Sequence, residues 1–254
     1  MPTIAIASLA GGVGRTTLTA HLATLAARSG HWSLALEWDA QNSAALHFGA
    51  HRPPADGLAA RALRDEPWHE AALRTSDGVL LLPFGETASG ALCRWQSRLE
   101  AEPQWLRGAL TQLDRPASGW TFIDTPRAPC TLLASAVQAA DAVLLVLRAD
   151  AAAAAQIDAA IALADGRPLG AVINGFDAAQ PLQVDVQAAL FDALGERLSP
   201  YSVHRDAAVP EAFARQLALP DAAPHAQAHH DLHGLWRWLQ DRFGALVTPL
   251  ADAA

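Results

Sequence analysis

Lysine is absent from this sequence of 254 residues, so all 18 of its basic residues are arginine. The 26 acidic residues give a formal net charge of −8, which argues against a protein that coats nucleic acid. Cysteine is also scarce. Cys93 and Cys130 fit neither a zinc pattern nor a disulfide framework, which is typical of a reducing, cytoplasmic setting.

Long hydrophobic runs are absent as well. No apolar stretch approaches the roughly 20 residues that a membrane-spanning helix needs. The first residues, MPTIAIAS, place no basic segment before their apolar run, so we expect no signal peptide.

Apolar residues are plentiful and make up 51% of the chain, whereas charged residues make up 17%. This supply can bury one substantial core, so we expect a single domain over residues 1–246. Residues 51–78 contain prolines and arginines, and we expect an insertion there that elaborates the surface, with a short helix at 57–65. Residues 247–254 are expected to be a flexible tail.

Short apolar runs alternate with stretches of helical periodicity. The runs lack polar alternation, as expected of strands covered on both faces. Strands are predicted at 3–8, 33–38, 79–83, 120–124, 142–147 and 168–174. Helices are predicted at 15–29, at 91–113 with a break at Pro103, and at 150–165, 206–216 and 228–243. This order predicts an α/β fold, in which a mostly parallel sheet has helices on both faces and binds ligands beyond the carboxyl ends of its strands.

The last predicted helix carries an apolar stripe. We favour its packing on the sheet over an amphipathic membrane anchor, because basic residues are few in it. The nearby His225, His229, His230 and His233 have no cysteine or second cluster beside them. A polar helix face is therefore favoured over a metal site.

The main chemical signal is a glycine-rich turn between the first strand and the first helix. Glycines let the backbone curl so that successive N–H groups point into one hollow, and the helix N-terminus adds a partial positive charge. These features predict a nucleotide phosphate site. The residues expected to contact the nucleotide here are Gly11, Gly12, Val13, Gly14, Arg15, Thr16 and Thr17.

Two carboxylates end neighbouring predicted strands. Asp124 and the hydroxyl of Thr16 are expected to bind Mg²⁺, together with Asp39. A carboxylate at Asp39 could also orient an attacking water near a γ-phosphate, so Asp39 is the candidate catalytic residue. The rival interpretation is a dinucleotide fold in which Glu37 binds a ribose. We disfavour it because Thr17 stands at the third glycine position.

These segments resemble those of the MinD/ParA ATPases, a family of P-loop NTPases. AGGVGRTT resembles their deviant phosphate loop KGGVGKTT, and EWDAQNS at 37–43 resembles their switch segment. FIDTPRAP at 122–129 resembles their second phosphate-side segment. The resemblance implies ATP and Mg²⁺ as cofactors, and VINGF at 172–176 places Asn174 where the family recognises adenine.

Within that family the match narrows to BcsQ, the MinD-like proteins encoded with bacterial cellulose synthase. The segments that carry it are WTFIDTPR, VLLLPFGE, GLAARALRDEPWHEAALR and LSPYSVHRDAAVPEA. The resemblance implies a cytoplasmic, ATP-dependent homodimer that helps to assemble or position the cellulose secretion system. It also implies a small BcsR-like partner, other cytosolic components of the synthase, and only indirect contact with the inner membrane.

Two departures from the family pattern bear on turnover. Ala10 stands where the family has the lysine that reaches the partner's nucleotide, and Arg15 replaces the other lysine with a wider, planar cation. We hypothesise that ATP binding survives and hydrolysis is slow or absent, with Arg127 or Arg148 restoring some of the missing charge. Two alternatives stay open: an active ATPase that positions a complex, and a scaffold that no longer binds nucleotide.

Overall fold

The structure is a computed structural model that describes residues 2–114, 116 and 118–246. The predicted tail, 247–254, lies outside the described residues. Within them no helix is both long and apolar enough to cross a membrane.

The described residues form one eight-stranded sheet. Its order is β3-β4-β2-β5-β1-β6-β7-β8, and every neighbouring pair is parallel except β3 and β4. The predicted α/β fold is therefore confirmed. The strands are β1 (Thr3–Ala7), β2 (Ser33–Glu37), β3 (Leu73–Arg74), β4 (Leu80–Leu82), β5 (Trp120–Asp124), β6 (Ala142–Leu147), β7 (Leu169–Phe176) and β8 (Val203–His204).

Helices cover both faces of this sheet. The helices are α1 (Arg15–Arg28), α2 (Leu58–Ala62), α3 (Ser89–Ala101), α4 (Trp105–Thr111), α5 (Thr131–Ala139), α6 (Ala151–Ala155), α7 (Ile157–Ala162), α8 (Pro181–Leu194), α9 (Ala208–Ala214), α10 (Leu219–Ala222) and α11 (Gln227–Phe243). The central strand shows why both faces are apolar. Ile4 and Ile6 pack with α1 and α11, whereas Ala5 and Ala7 point the other way into a core with α5, α7 and α8.

Four helical segments differ from the sequence expectation, and one of them is the short helix α10, which was not predicted. The helix predicted at 150–165 is two short helices, α6 and α7, which meet at Gln156. Neither α5 nor α8 was predicted. In α5 apolar residues surround most of the helix and are buried, so no polar face marks its period.

The segment at 51–78 is more than surface elaboration, and the structure corrects that expectation. Leu58 is fully buried, and Trp68 is buried in the same apolar cluster. Leu73 and Arg74 then form the antiparallel edge strand β3. The segment therefore completes one end of the core, because its apolar side chains cover β2 and β4.

Trp38, just after β2, is fully buried, so its side chain is not available to a partner subunit. Its side chain has no exposed surface, and its indole N–H donates to Ser135 Oγ over 2.9 Å. The ring stacks on Trp105 at 17° and meets the edge of Trp95. Trp38 thus anchors the segment after β2 to α5.

The last helix packs on the sheet, as favoured from the sequence. Its stripe residues Leu232, Leu235, Trp236, Leu239 and Phe243 are all buried. The Trp236 ring meets Trp120 of β5 edge-on at 4.8 Å between ring centres. This burial leaves the stripe unavailable for a membrane surface.

Candidate nucleotide-binding site

The glycine-rich segment forms a curled loop between β1 and α1. Gly12 and Gly14 have φ angles of +68° and +93°, a region that L side chains rarely adopt. Val13 between them is 4% exposed and joins the core, which fixes the loop from below. The exposed backbone of this loop is suited to holding an anion.

The first turn of α1 has no internal cap within the described chain. Gly14 is its N-cap, no side chain bonds to the free amides there, and no acidic residue occupies the first turn. Helix N-termini carry unsatisfied N–H groups and a partial positive charge. Arg15, Thr16 and Thr17 therefore present their amides where a phosphate group would be stabilised.

Asn174 lies against this loop at the end of β7. Its side-chain amide donates to the Val13 carbonyl over 2.6 Å. A Cβ added at Gly14 would collide with the same amide nitrogen. The structure brings Asn174 to the phosphate loop, and its role in recognising adenine stays a prediction.

Substitution of Gly12 and of Gly14 by alanine should lower the free energy of unfolding by different amounts. Gly12→Ala meets no atom within 4 Å, so it should cost only the backbone strain of about 1–2 kcal/mol. Gly14→Ala adds the displacement of Asn174 and the loss of its hydrogen bond, about 1 kcal/mol more. Urea unfolding of both variants measures the difference, and equal costs would contradict the proposed contact between Asn174 and the loop.

Arg15 holds the mouth of the loop through main-chain carbonyls. Its Nε donates to Thr125 O and its Nη1 donates to Ala10 O, both over 2.8 Å. Burial lowers the pKa of the guanidinium, and the charges of Asp124 and Asp39 oppose that shift. These two bonds use two of the five N–H groups of the guanidinium, so the others can donate to a further acceptor.

Asp124 ends β5 as a fully buried carboxylate. The Thr16 side chain is close enough to lower its pKa, yet neither oxygen of Asp124 has a hydrogen-bond partner of standard geometry among the described residues. Burial raises the pKa of Asp124 to about 7, and the charge of Asp39 adds to the rise. Unsatisfied buried oxygens are costly, so this carboxylate is suited to a cation.

Glu37 lies opposite Asp124 in the register of β2 and β5 and is 1% exposed. Its Oε1 accepts the Ala44 amide over 2.6 Å, and its Oε2 has no partner among the described residues. Burial raises the pKa of Glu37 to about 8. Sequence patterns associated Glu37 only with a ribose, and they missed that it faces Asp124.

Asp39 lies just beyond β2 and is 9% exposed. Its Oδ1 accepts the Gln41 amide over 2.9 Å, which shapes the turn that follows. Its charge acts on Arg15, Glu37 and Asp124. The structure therefore gathers Asp39, Asp124 and Arg15 at one edge of the sheet, and the catalytic role of Asp39 stays a prediction.

These residues fit a magnesium ion that is shared with a ligand. Within the described residues, no cluster of three or more His, Cys, Asp or Glu side chains is arranged to hold a metal by itself. Thr16, Asp124 and Asp39 would supply oxygens, which suits Mg²⁺ because it is usually bound by few carboxylates together with substrate phosphates. Magnesium would neutralise phosphate charge there.

Cys130 is a neighbour that sequence patterns missed. It caps α5, where its Sγ accepts the Leu133 amide over 3.4 Å, and burial raises the pKa of its thiol. The charges of Asp39 and Arg15 both act on that thiol, which places Cys130 near the loop. A lone cysteine in a sequence gives no signal of such a position.

Two arginines stand near the loop without a hydrogen-bond or ion-pair partner among the described residues. Arg127 is exposed, and its Cδ is 3.7 Å from where a Gly11 Cβ would lie. Arg148 is exposed and lines a cavity of about 240 Å³ that Ala10 and Gln156 also line. Both are therefore free to bind an anion at this edge.

The fold and this site define a P-loop NTPase of the MinD/ParA type. Solved structures of similar fold include apo McdA from Cyanothece, with a TM-score of 0.79, 19% identity and coverage of 94% of this chain and 99% of that one. MinD from Pyrococcus horikoshii with Mg-ADP has a TM-score of 0.78, 19% identity and coverage of 98% and 99%.

The family model described as "Cellulose biosynthesis protein BcsQ" matches residues 1–239, so the chain belongs to the BcsQ family. A BcsQ from Escherichia coli K12 is 28% identical over 260 residues, which cover both chains completely. The chromosome-partitioning ATPase Soj from Thermus thermophilus is 27% identical over 236 residues, 89% of this chain and 90% of Soj.

Proposed function

We propose that this protein is a nucleotide-dependent dimerising factor that assembles or positions the bacterial cellulose secretion system. It binds ATP and Mg²⁺, joins two copies, and hydrolyses ATP slowly or not at all. The observation that carries the proposal is the pairing of an uncapped phosphate loop with the buried, unpartnered carboxylate of Asp124. An anion would satisfy the free amides of the loop, and a cation would satisfy the carboxylate.

Roles within the site follow from position. The amides of residues 11–17 would hold the phosphates, and the remaining N–H groups of Arg15 would pair with them. Asp39, Thr16 and Asp124 would hold the magnesium ion, and Asp39 would also orient an attacking water. Asn174, whose side-chain amide contacts the loop at Val13, would recognise adenine.

We expect slow ATP hydrolysis because the loop has one cation fewer than the family pattern, and the remaining one is an arginine. Ala10 carries no charge, and Arg15 starts from two hydrogen bonds that a lysine would not make in the same fork. A missing transition-state cation slows phosphoryl transfer by roughly a thousandfold or more. Steady hydrolysis at the rate of active family members would favour the ATPase alternative instead.

Partners are proposed from the family. Relatives carry the description "Cellulose biosynthesis protein BcsQ". The joined form would present a surface to a small BcsR-like protein and to cytosolic components of the synthase. The protein would act in the cytoplasm and reach the inner membrane through those partners, without binding nucleic acid.

Light scattering after size exclusion tests this proposal. Mass should double from monomer to dimer when Mg-ATP is added, and it should not change with Mg²⁺ alone. If ATP binds but the molecular mass stays the same in every condition, the protein does not dimerise on nucleotide binding and this part of the proposal is wrong. The same result without bound ATP would favour the scaffold alternative.

Substitution of Arg127 and of Arg148 should affect different steps, ATP binding and dimerisation respectively. Arg127→Ala should weaken ATP binding to one copy by roughly tenfold or less, since an exposed charge pair contributes about 1 kcal/mol. Arg148→Ala should leave that binding intact and weaken Mg-ATP-dependent dimerisation, because its cavity borders Ala10. Exposed Arg94, on α3, is the control. Unchanged affinity and mass in both variants would end the compensation hypothesis.

A further inference from the structure

An exposed apolar stripe runs along α8. Val184 and Phe191 are 43% and 58% exposed and share one face, and Leu182, 62% exposed, lies on another side of the first turn. The three are half of the six large hydrophobic side chains found exposed among the described residues. Single exposed apolar residues are ordinary, whereas a group on one helix marks an interaction surface. The phosphate site uses none of these residues.

The stripe has helical geometry. Val184, Ala188 and Phe191 are spaced four and three residues apart, so they share one face, and Ala188 is also exposed. The other face of α8 packs Val186, Leu190 and Leu194 into the core. The helix is therefore apolar on two sides, and only one of them is covered by this chain's described residues.

The apolar surface continues beyond α8. Helix α6 packs beside it and exposes Ala151, Ala152 and Ala155. Small side chains allow another helix to approach closely. The two neighbouring helices therefore both expose apolar side chains, and we call these exposed side chains the strip.

The charged residues of α8 itself are all acidic, whereas the exposed Arg148 lies near α6. Between residues 177 and 196 the charged residues are Asp177, Asp185, Asp192 and Glu196, with no basic residue among them. Asp185 and Asp192 are exposed, and their spacing of seven places them in one row beside the stripe. The nearby Arg197 already donates to the Leu194 and Ala193 carbonyls at the end of α8.

We propose that the outer face of α8 docks a partner protein through an amphipathic helix whose apolar stripe is flanked by arginine or lysine. Acidic rows are complementary to such flanks. A second copy of this chain, docked symmetrically, would bring the same aspartates together. An anionic membrane would meet the aspartates with like charge.

A designed peptide tests the proposal. The probe is a fluorescein-labelled helix of about 18 residues, five turns long, with Leu and Phe on one stripe and arginine on both flanks. Its control has glutamate in place of each arginine. Fluorescence anisotropy should show micromolar binding of the basic peptide and no measurable binding of the acidic one.

Matched variants locate the binding. Phe191→Glu should weaken binding of the basic peptide by roughly tenfold or more, because the substitution removes the largest apolar contact. Phe213→Glu, at a side chain of α9 that is 40% exposed, should leave binding unchanged. A double reversal, Asp185→Lys with Asp192→Lys, should transfer preference to the acidic peptide. Circular dichroism checks that each variant folds.

Three outcomes would overturn the proposal. Equal binding of the two peptides would show that charge does not select the partner. Self-association of the wild type that Phe191→Glu abolishes would assign the face to a second copy. Flotation with vesicles of anionic phosphatidylglycerol, lost in Phe191→Glu, would assign it to a membrane. None of these outcomes depends on ATP binding, so the phosphate site is tested separately.

Discussion

Arg15→Ala is expected to weaken Mg-ATP binding by roughly 10- to 100-fold, which corresponds to about 1.5–3 kcal/mol for a charged hydrogen bond. The guanidinium already bridges the loop, from Ala10 O to Thr125 O. In the complex its remaining N–H groups would donate to phosphate oxygens, with which it forms stronger pairs than with neutral carbonyls. Equilibrium dialysis with labelled ATP measures the change.

Two companion variants make this result interpretable. Arg15→Lys keeps the charge and should bind within a few-fold of the wild type. Arg94→Ala removes an exposed arginine of α3 and should change nothing. Tighter ATP binding in Arg15→Ala would contradict the account, because it would show that the arginine blocks the phosphate site and does not contribute to ATP binding.

Asp124→Asn is expected to stabilise the protein at pH 8 in the absence of magnesium. Burial raises the pKa of this carboxyl from 3.8 to about 7, so the folded protein binds its proton more tightly than the unfolded chain does. The stabilisation from that proton is complete below pH 3.8 and is lost as the pH rises through about 7. Asparagine has the same shape and no charge, so it avoids the loss.

The size of this effect follows from the two pKa values. Each unit of difference corresponds to about 1.4 kcal/mol, which gives an upper limit of about 4 kcal/mol at pH 8. Thermal unfolding of wild type and Asp124→Asn at pH 6 and pH 8 measures it, and the gap between the two proteins should widen at pH 8. Asp185→Asn, at an exposed position, is the matched control.

Magnesium should reverse the order of the unfolding temperatures of the wild type and Asp124→Asn. With ATP present, Mg²⁺ should raise the unfolding temperature of the wild type more at pH 8 than at pH 6, because the ion needs the ionised carboxylate. Asp124→Asn should lose that gain. An equal gain in both proteins would show that Asp124 does not hold the ion.

The phosphate loop and the strand ends were predictable because they depend on local chemistry. The spacing of the glycines between an apolar strand and a helix, and the carboxylates after apolar strands, are visible in the sequence around Gly14 and Asp124. The sheet is parallel for the same local reason, since its strands have no polar face. Alternating buried runs and helices leave few other ways to pack.

The remaining features depend on contacts between distant residues. Helix α8 lacks a readable period because it is apolar on two sides, and the core role of Trp68 depends on strands far along the chain. The Arg15 bridge to Thr125 joins residues separated by 110 positions. The facing of Glu37 and Asp124 follows from strand register, which composition does not reveal.

Binding of ATP to the wild-type chain is the most direct test of the central claim, that the loop and the carboxylates of this site hold a magnesium-bound triphosphate. Equilibrium dialysis with labelled ATP should find one ATP per chain, held in the micromolar range or tighter with Mg²⁺ and more weakly when EDTA removes the ion. Absence of bound ATP with Mg²⁺ present would contradict the account.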